Sequence, residues 1–167
     1  MHVDASGSIV ESVAFPQTLL AGQTRFGAEG IALDGDRLWV AIQRPWEDDP
    51  AGMTKLLAYD LGTRQWGAVR YPLETASREG AWVGLSELTI HDGYAYLIER
   101  DNLIGDEAAL KSLTRVSLAD MQPAALGGDL PVVRKERVRD LIPDLKSQTN
   151  GYVAVSYTHL TLPTTPY

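Results

Sequence analysis

Two stretches of this chain read alike, and the likeness limits what it can fold into more than any other feature. Gly27-Ala28-Glu29-Gly30-Ile31-Ala32-Leu33-Asp34-Gly35-Asp36-Arg37-Leu38-Trp39-Val40-Ala41-Ile42 is an acid, a short apolar run, a tight turn and a second apolar run. Ser86-Glu87-Leu88-Thr89-Ile90-His91-Asp92-Gly93-Tyr94-Ala95-Tyr96-Leu97-Ile98-Glu99 repeats that plan. Glu29 and Glu87 are 58 positions apart, and so are the turn glycines Gly35 and Gly93. Asp-Gly tolerates positive φ and so marks a two-residue hairpin. Leu38, Val40 and Ile42 then share one face of the return strand, with Trp39 and Ala41 on the other.

Each hairpin continues in the same way. Lys55 to Leu61 and Gln65 to Pro72 read as the third and fourth strands of the first unit. In the second unit, Leu113 to Leu118 matches Leu56 to Leu61 at an offset of 57, and Val132 to Leu141 supplies a fourth strand stopped by Pro143. Ile9 to Phe15 reads as a short edge strand ending at Pro16, Gln17 to Phe26 as a connector, and Asp106 to Ser112 as a turn or two of helix. Four short strands repeating over roughly 50 to 60 residues point to a β-propeller blade. One such sheet cannot cover both of its faces, whereas blades around an axis cover each other. The fold class expected is therefore all-β: a partial β-propeller of about two four-stranded antiparallel blades plus incomplete pieces.

Val155 to Tyr167 breaks this pattern. It carries no Lys, Arg, Asp or Glu, is rich in Thr and Pro, and resembles a translated sequencing-library adapter. The expected division is an incomplete propeller domain at 1–154 and a non-native tail at 155–167, with His159 outside any functional argument.

Composition narrows the function classes. The 167 residues are 44% hydrophobic and carry a formal net charge of −7, so a packed core is expected, and nucleic acid or an anionic membrane surface is not an expected partner. The absence of cysteine excludes disulfides, thiolate metal sites and a cysteine nucleophile. No apolar run approaches the roughly 20 residues of a membrane helix, and no secretory leader is visible at the start. No P-loop, dinucleotide fingerprint, zinc motif or Gly-x-Ser-x-Gly elbow is present, so no cofactor-binding residue and no catalytic residue is assigned.

The chemistry-bearing candidates are carboxylates and arginines. Glu29 and Glu87 open the strands that line a propeller's channel, and such oxygens suit a hard cation, Ca²⁺ above all. The alternative is that each accepts backbone N–H groups where neighbouring blades meet. Glu99, Arg100 and Asp101 follow the second strand of the later unit, and Arg44 occupies the corresponding loop of the earlier one. They are further candidates for metal or substrate, or loop-pinning ion pairs. Glu47, Asp48 and Asp49 read as a solvated acidic run, and Trp39, Trp66, Trp82, Tyr94 and Tyr96 as packing between blades.

Phe26-Gly27-Ala28-Glu29-Gly30-Ile31-Ala32-Leu33 with Leu38-Trp39-Val40-Ala41 resembles the phytase-like family, whose members are described by an esterase-like activity of phytase. Leu85-Ser86-Glu87-Leu88, Leu97-Ile98-Glu99-Arg100-Asp101 and Asp140-Leu141-Ile142-Pro143 leading to Asn150-Gly151 are also similar to that family's pattern. The resemblance implies a bacterial, periplasmic or secreted propeller acting on a small-molecule ester or phosphate, with Glu29 and Glu87 as channel acids. Metal-assisted hydrolysis is the expectation this supports. The alternatives are a non-catalytic binding module of the cell envelope and an enzyme similar to calcium-dependent lactonases, in which such a Glu binds the metal.

Overall fold

A computed structural model describes residues 1–149, 151 and 153. The stretch set apart as a tail, Val155 to Tyr167, lies outside the described residues. Ahead of the repeats stand β1 (His2–Val3), β2 (Ile9–Glu11) and the short helix α1 (Gln17–Leu20). The first blade is β3 (Ala28–Asp34), β4 (Arg37–Ile42), β5 (Met53–Asp60) and β6 (Trp66–Pro72). The second is β7 (Val83–His91), β8 (Tyr94–Asp101), β9 (Lys111–Ser117) and, after the two-residue β10 (Ala124–Ala125), β11 (Lys135–Asp140). Helix α2 (Ile142–Gln148) follows. Both sheets are antiparallel meanders, ordered β10-β6-β5-β4-β3 and β11-β9-β8-β7. They form an all-β, partly built propeller.

The blades pack through alternate residues of their strands. Trp39, Ala41, Leu56, Ala58, Val69 and Tyr71 meet Leu85, Leu88, Ala95, Leu97, Val116, Met121 and Val133 in one buried cluster. Each large apolar side chain buried there contributes about 1.5–3 kcal/mol. The opposite parity of the first blade, Val40, Ile42, Leu57 and Ala68, forms a second cluster under Leu19, Trp46, Phe15, Trp66, Leu126 and Leu130. That two-sided burial is why β4 and β5 read as apolar on both faces.

β3 and β7 approach each other closely. A Cβ added at Gly30 would stand 2.3 Å from Leu88 N, so only glycine fits there. Leu85 N donates to Gln43 O at 2.9 Å, which brings the end of β4 to the start of β7.

The register corrects the repeat length. Asp34 pairs with Arg37, leaving Gly35-Asp36 as the first turn, and His91 pairs with Tyr94, leaving Asp92-Gly93 as the second. Gly35 alone has positive φ in the first, whereas Asp92 and Gly93 both have it in the second. The two hairpins therefore use different turns, and glycine sits one place later in the second. The structural period is 57, the offset of the third strands.

Other local expectations shift for physical reasons. The expected edge strand pairs only at Ile9–Glu11, against β1, while Phe15 packs edge-on to Trp66 with centroids 5.2 Å apart. The helical turns expected at Asp106 to Ser112 shrink to a 3₁₀ turn at Gly105–Glu107, because Lys111 and Ser112 already belong to β9. Pro143 starts a helix instead of ending an element, since a proline in the first turn loses no hydrogen bond. Residues 119–133, between β9 and β11, reach back over the first blade. Ala124 and Ala125 pair with Ala68 and Gly67, and Arg70 exchanges backbone hydrogen bonds with Pro131 and Val133. The outer edge of β6 is thereby closed.

Candidate functional site

Polar residues gather where β3 and β7 begin and β4 and β8 end. Each inner strand carries a β-bulge at that end. Glu29 is the extra residue of β3, between the pairs Ala28–Ile42 and Gly30–Ala41. Ser86 is the extra residue of β7, between Leu85–Glu99 and Glu87–Ile98. A bulge re-aims its side chain, and in both blades the residue 14 positions later donates to it. Gln43 Nε2 donates to Glu29 Oε1 at 2.8 Å, and Arg100 Nε donates to Ser86 Oγ at 2.7 Å. Gln43 and Arg100 are both buried. The counterpart of Glu29 is thus Ser86, one period on, while Glu87 corresponds to Gly30. The spacing of the two glutamates matches that of the turn glycines only because the second glycine sits one place later in its turn.

Glu29 is half-buried, and burial raises its carboxyl above the ordinary carboxylate value, an effect that the nearby Arg100 charge partly offsets. Next to it stands a ladder of cations and rings. The Arg25 guanidinium lies 4.8 Å from the Phe26 centroid, Arg44 lies 4.4 Å from Phe26 and 4.7 Å from Trp82, and Arg100 lies 5.0 Å from Trp82. The two rings are 5.6 Å apart. Backbone pins the ladder: Trp46 Nε1 donates to Phe26 O at 2.7 Å, and Trp82 N donates to Asn102 Oδ1 at 2.8 Å. Burial lowers the Arg44 guanidinium from its usual value, and Arg25 adds to this. Arg44 Nε is buried with no hydrogen-bond partner among the described residues. Ring faces hold the guanidinium planes, and at Arg44 this leaves the Nε–H for an oxyanion.

The remaining candidates lie elsewhere or are already engaged. Glu99 and Asp101 alternate with Arg100 along β8, and both are fully buried. Glu99 Oε2 accepts from Tyr71 Oη at 2.9 Å and from Lys135 Nζ at 2.7 Å, and Oε1 accepts from Lys135 Nζ and Glu74 N. Burial and the Glu99 charge push the Tyr71 phenol far above its usual value. Asp101 accepts from Leu103 N, Ala109 N and Leu110 N and pairs with Lys111, so it braces the β8–β9 loop. Glu87 Oε1 accepts from Leu88 N at 2.9 Å, beside the close approach at Gly30. The run read as a solvated face is split: the Asp49 side chain is fully buried, pairing with Lys55 and Arg70.

Among the described residues no group of three or more His, Asp or Glu side chains could hold a metal ion. Ca²⁺ takes about six to eight oxygen ligands, and the surroundings of Glu29 hold guanidiniums instead. This donor set does not fit the cation.

Arg25, Phe26, Gln43, Trp82 and Ser86 were not singled out as site residues. The signal was the 57-residue period, which aligns Glu29 with Ser86 and Gln43 with Arg100. Trp82, expected to pack between blades, meets Phe26 and Arg44 from the first blade and also stacks on Arg100 of its own.

No helix among the described residues is long and apolar enough to cross a membrane. No curated protein and no solved structure matches the chain. A family model described as phytase-like, esterase-like activity of phytase, matches residues 1–159. The match spans nearly the whole sequence, and the chain belongs to the phytase-like family.

Proposed function

We propose that the channel end of these blades is the substrate site of an esterase- or phosphoesterase-type propeller hydrolase. In this reading the ladder of Arg25, Arg44 and Arg100 seats the anionic group of an ester, and Glu29 handles the proton. Gln43 holds one Glu29 oxygen, so the other is left to take a proton from an attacking water and return it to the leaving alcohol. A carboxyl raised by burial exchanges that proton closer to neutral pH than a free one would. The N–H edge of Arg44 stabilises charge that builds on the ester oxygen.

The observation that supports this most is the meeting of a half-buried, proton-favouring carboxyl with arginines stacked on rings at one end of the inner strands. The family membership agrees with ester chemistry. The test is turnover of p-nitrophenyl acetate and p-nitrophenyl phosphate. Glu29→Gln is expected to lower kcat by about 10²–10⁴-fold, the usual worth of a positioned acid–base group, and Arg44→Gln to raise KM for the anionic substrate. Wild-type turnover in Glu29→Gln would remove the role given to that residue, and no turnover by the wild type would favour a binding module.

A further inference from the structure

A cavity of about 300 Å³ opens between the chain linking the two blades and the second blade itself. Its walls include Glu99, Asp101, Ser112, Thr114 and Lys135, and its rim includes Thr75 and Ser77. Glu99 and Asp101 project from the opposite side of β8 to Arg100, so this space is distinct from the arginine ladder.

The hydrogen-bonding capacity of its floor is nearly all in use. Both oxygens of Glu99 and both oxygens of Asp101 are taken. Lys135 Nζ bonds both Glu99 oxygens and pairs with Glu74, and Thr114 Oγ1 bonds Tyr71 Oη and Leu97 O. The exception is Ser112. It is 2% exposed, lines the cavity, and its Oγ has no hydrogen-bond partner among the described residues. Buried hydroxyls are normally satisfied, and one left open inside a cavity needs a partner from outside the chain.

We propose that this cavity binds a small, uncharged, polyhydroxylated molecule of single-ring size. The charges that line the cavity are all paired within the chain, Lys135 with Glu99 and Glu74, Asp101 with Lys111, and Arg137 with Asp140 at 3.2 Å, so a charged ligand would be desolvated with no unpaired counter-charge to meet it. A hydroxyl gives and accepts like Ser112 itself, and the exposed hydroxyls of Thr75 and Ser77 offer the same chemistry at the mouth. The volume lies at the small end of ligand cavities, which run from about 300 Å³ upward.

The experiment is calorimetric titration of the protein with glucose and xylose, and with gluconate and glucose 6-phosphate as charged counterparts. At least one uncharged sugar is expected to bind saturably. Ser112→Ala weakens it about tenfold, the usual worth of one hydrogen bond, and Ser77→Ala weakens it less. Arg44→Gln leaves sugar binding unchanged. Ser77 is exposed, so its variant tests the site even where a change at Ser112 alters folding. The proposal is overturned if neither sugar saturates, which leaves water alone at Ser112. It is equally overturned if sugar affinity is the same in both serine variants, or if a charged counterpart binds more tightly than its sugar.

Discussion

Gly30→Ala tests the close approach of the two inner strands. Gly30 is buried, and its φ is not in the left-handed region, so alanine meets no conformational barrier of its own. What it meets is backbone. The added Cβ would lie 2.3 Å from Leu88 N, 2.7 Å from Glu87 C and 3.0 Å from Leu88 Cβ. Leu88 is paired with Leu97 in the second sheet and cannot step aside alone. Overpacking costs about 1–3 kcal/mol, and a clash with paired backbone belongs near 3. Restricting the unfolded chain returns about 0.4–1 kcal/mol, for a net loss of about 2 kcal/mol. With a urea slope of about 2 kcal/mol/M, the midpoint should fall by about 1 M at unchanged slope. Gly27→Ala is the control, since it has open space within 4 Å and no positive φ. It should hold or raise the midpoint. A Gly30→Ala midpoint equal to that of Gly27→Ala would refute the packing of β3 on β7 and, with it, the shared axis.

Glu29 should titrate above its ordinary value of 4.5 in a carboxyl-resolved NMR titration, because burial outweighs Arg100. A raised acid contributes stability that is present below its unfolded pKa and lost as pH rises through its folded one. Wild-type stability should therefore fall relative to Glu29→Gln as pH climbs from about 4.5, and parallel curves would refute the shift. Lys135→Met removes the cation that both Glu99 oxygens hold, leaving a fully buried carboxylate with Tyr71 and Glu74 N. Breaking a buried pair costs about 3–5 kcal/mol, and the lower end is expected in denaturant melts because those two donors remain. Gly67→Val places its Cβ 2.8 Å from Ala124 O. Amide exchange at Arg70 and Val133 should quicken while exchange in β8 stays slow, and uniform quickening would show that residues 119–133 are not an independent cover.

Strand placement was legible because alternation and turn residues report local geometry. The four strands of each unit, the two faces of β4 and the meander order all follow from that pattern. The site was half legible. Arg44 and Arg100 stand out as polar residues at the ends of apolar strands, but pairing Glu29 with Glu87 rested on turn glycines. A hairpin can place glycine at either turn position, so it gives register only to within one residue, and in a strand one residue reverses the face. The third strands, offset by 57, carried the true period. Burial of the acids was not legible either. Asp49 looks like a solvated loop residue until Lys55 and Arg70 arrive from elsewhere in the chain, whereas Asp101 takes the loop-pinning role that was one of its two readings.

The stretch from 119 to 133 ties the order of assembly to the order of synthesis. Arg70 waits for Pro131 and Val133 to satisfy its backbone, so the earlier sheet stays unfinished until about sixty more residues have left the ribosome. A nascent chain released before that point would expose the bare flank of β6 to any passing strand. A cut placed between the two repeats, which their likeness invites, would remove the lacing from one piece and leave the other with a loop that has nothing to grip.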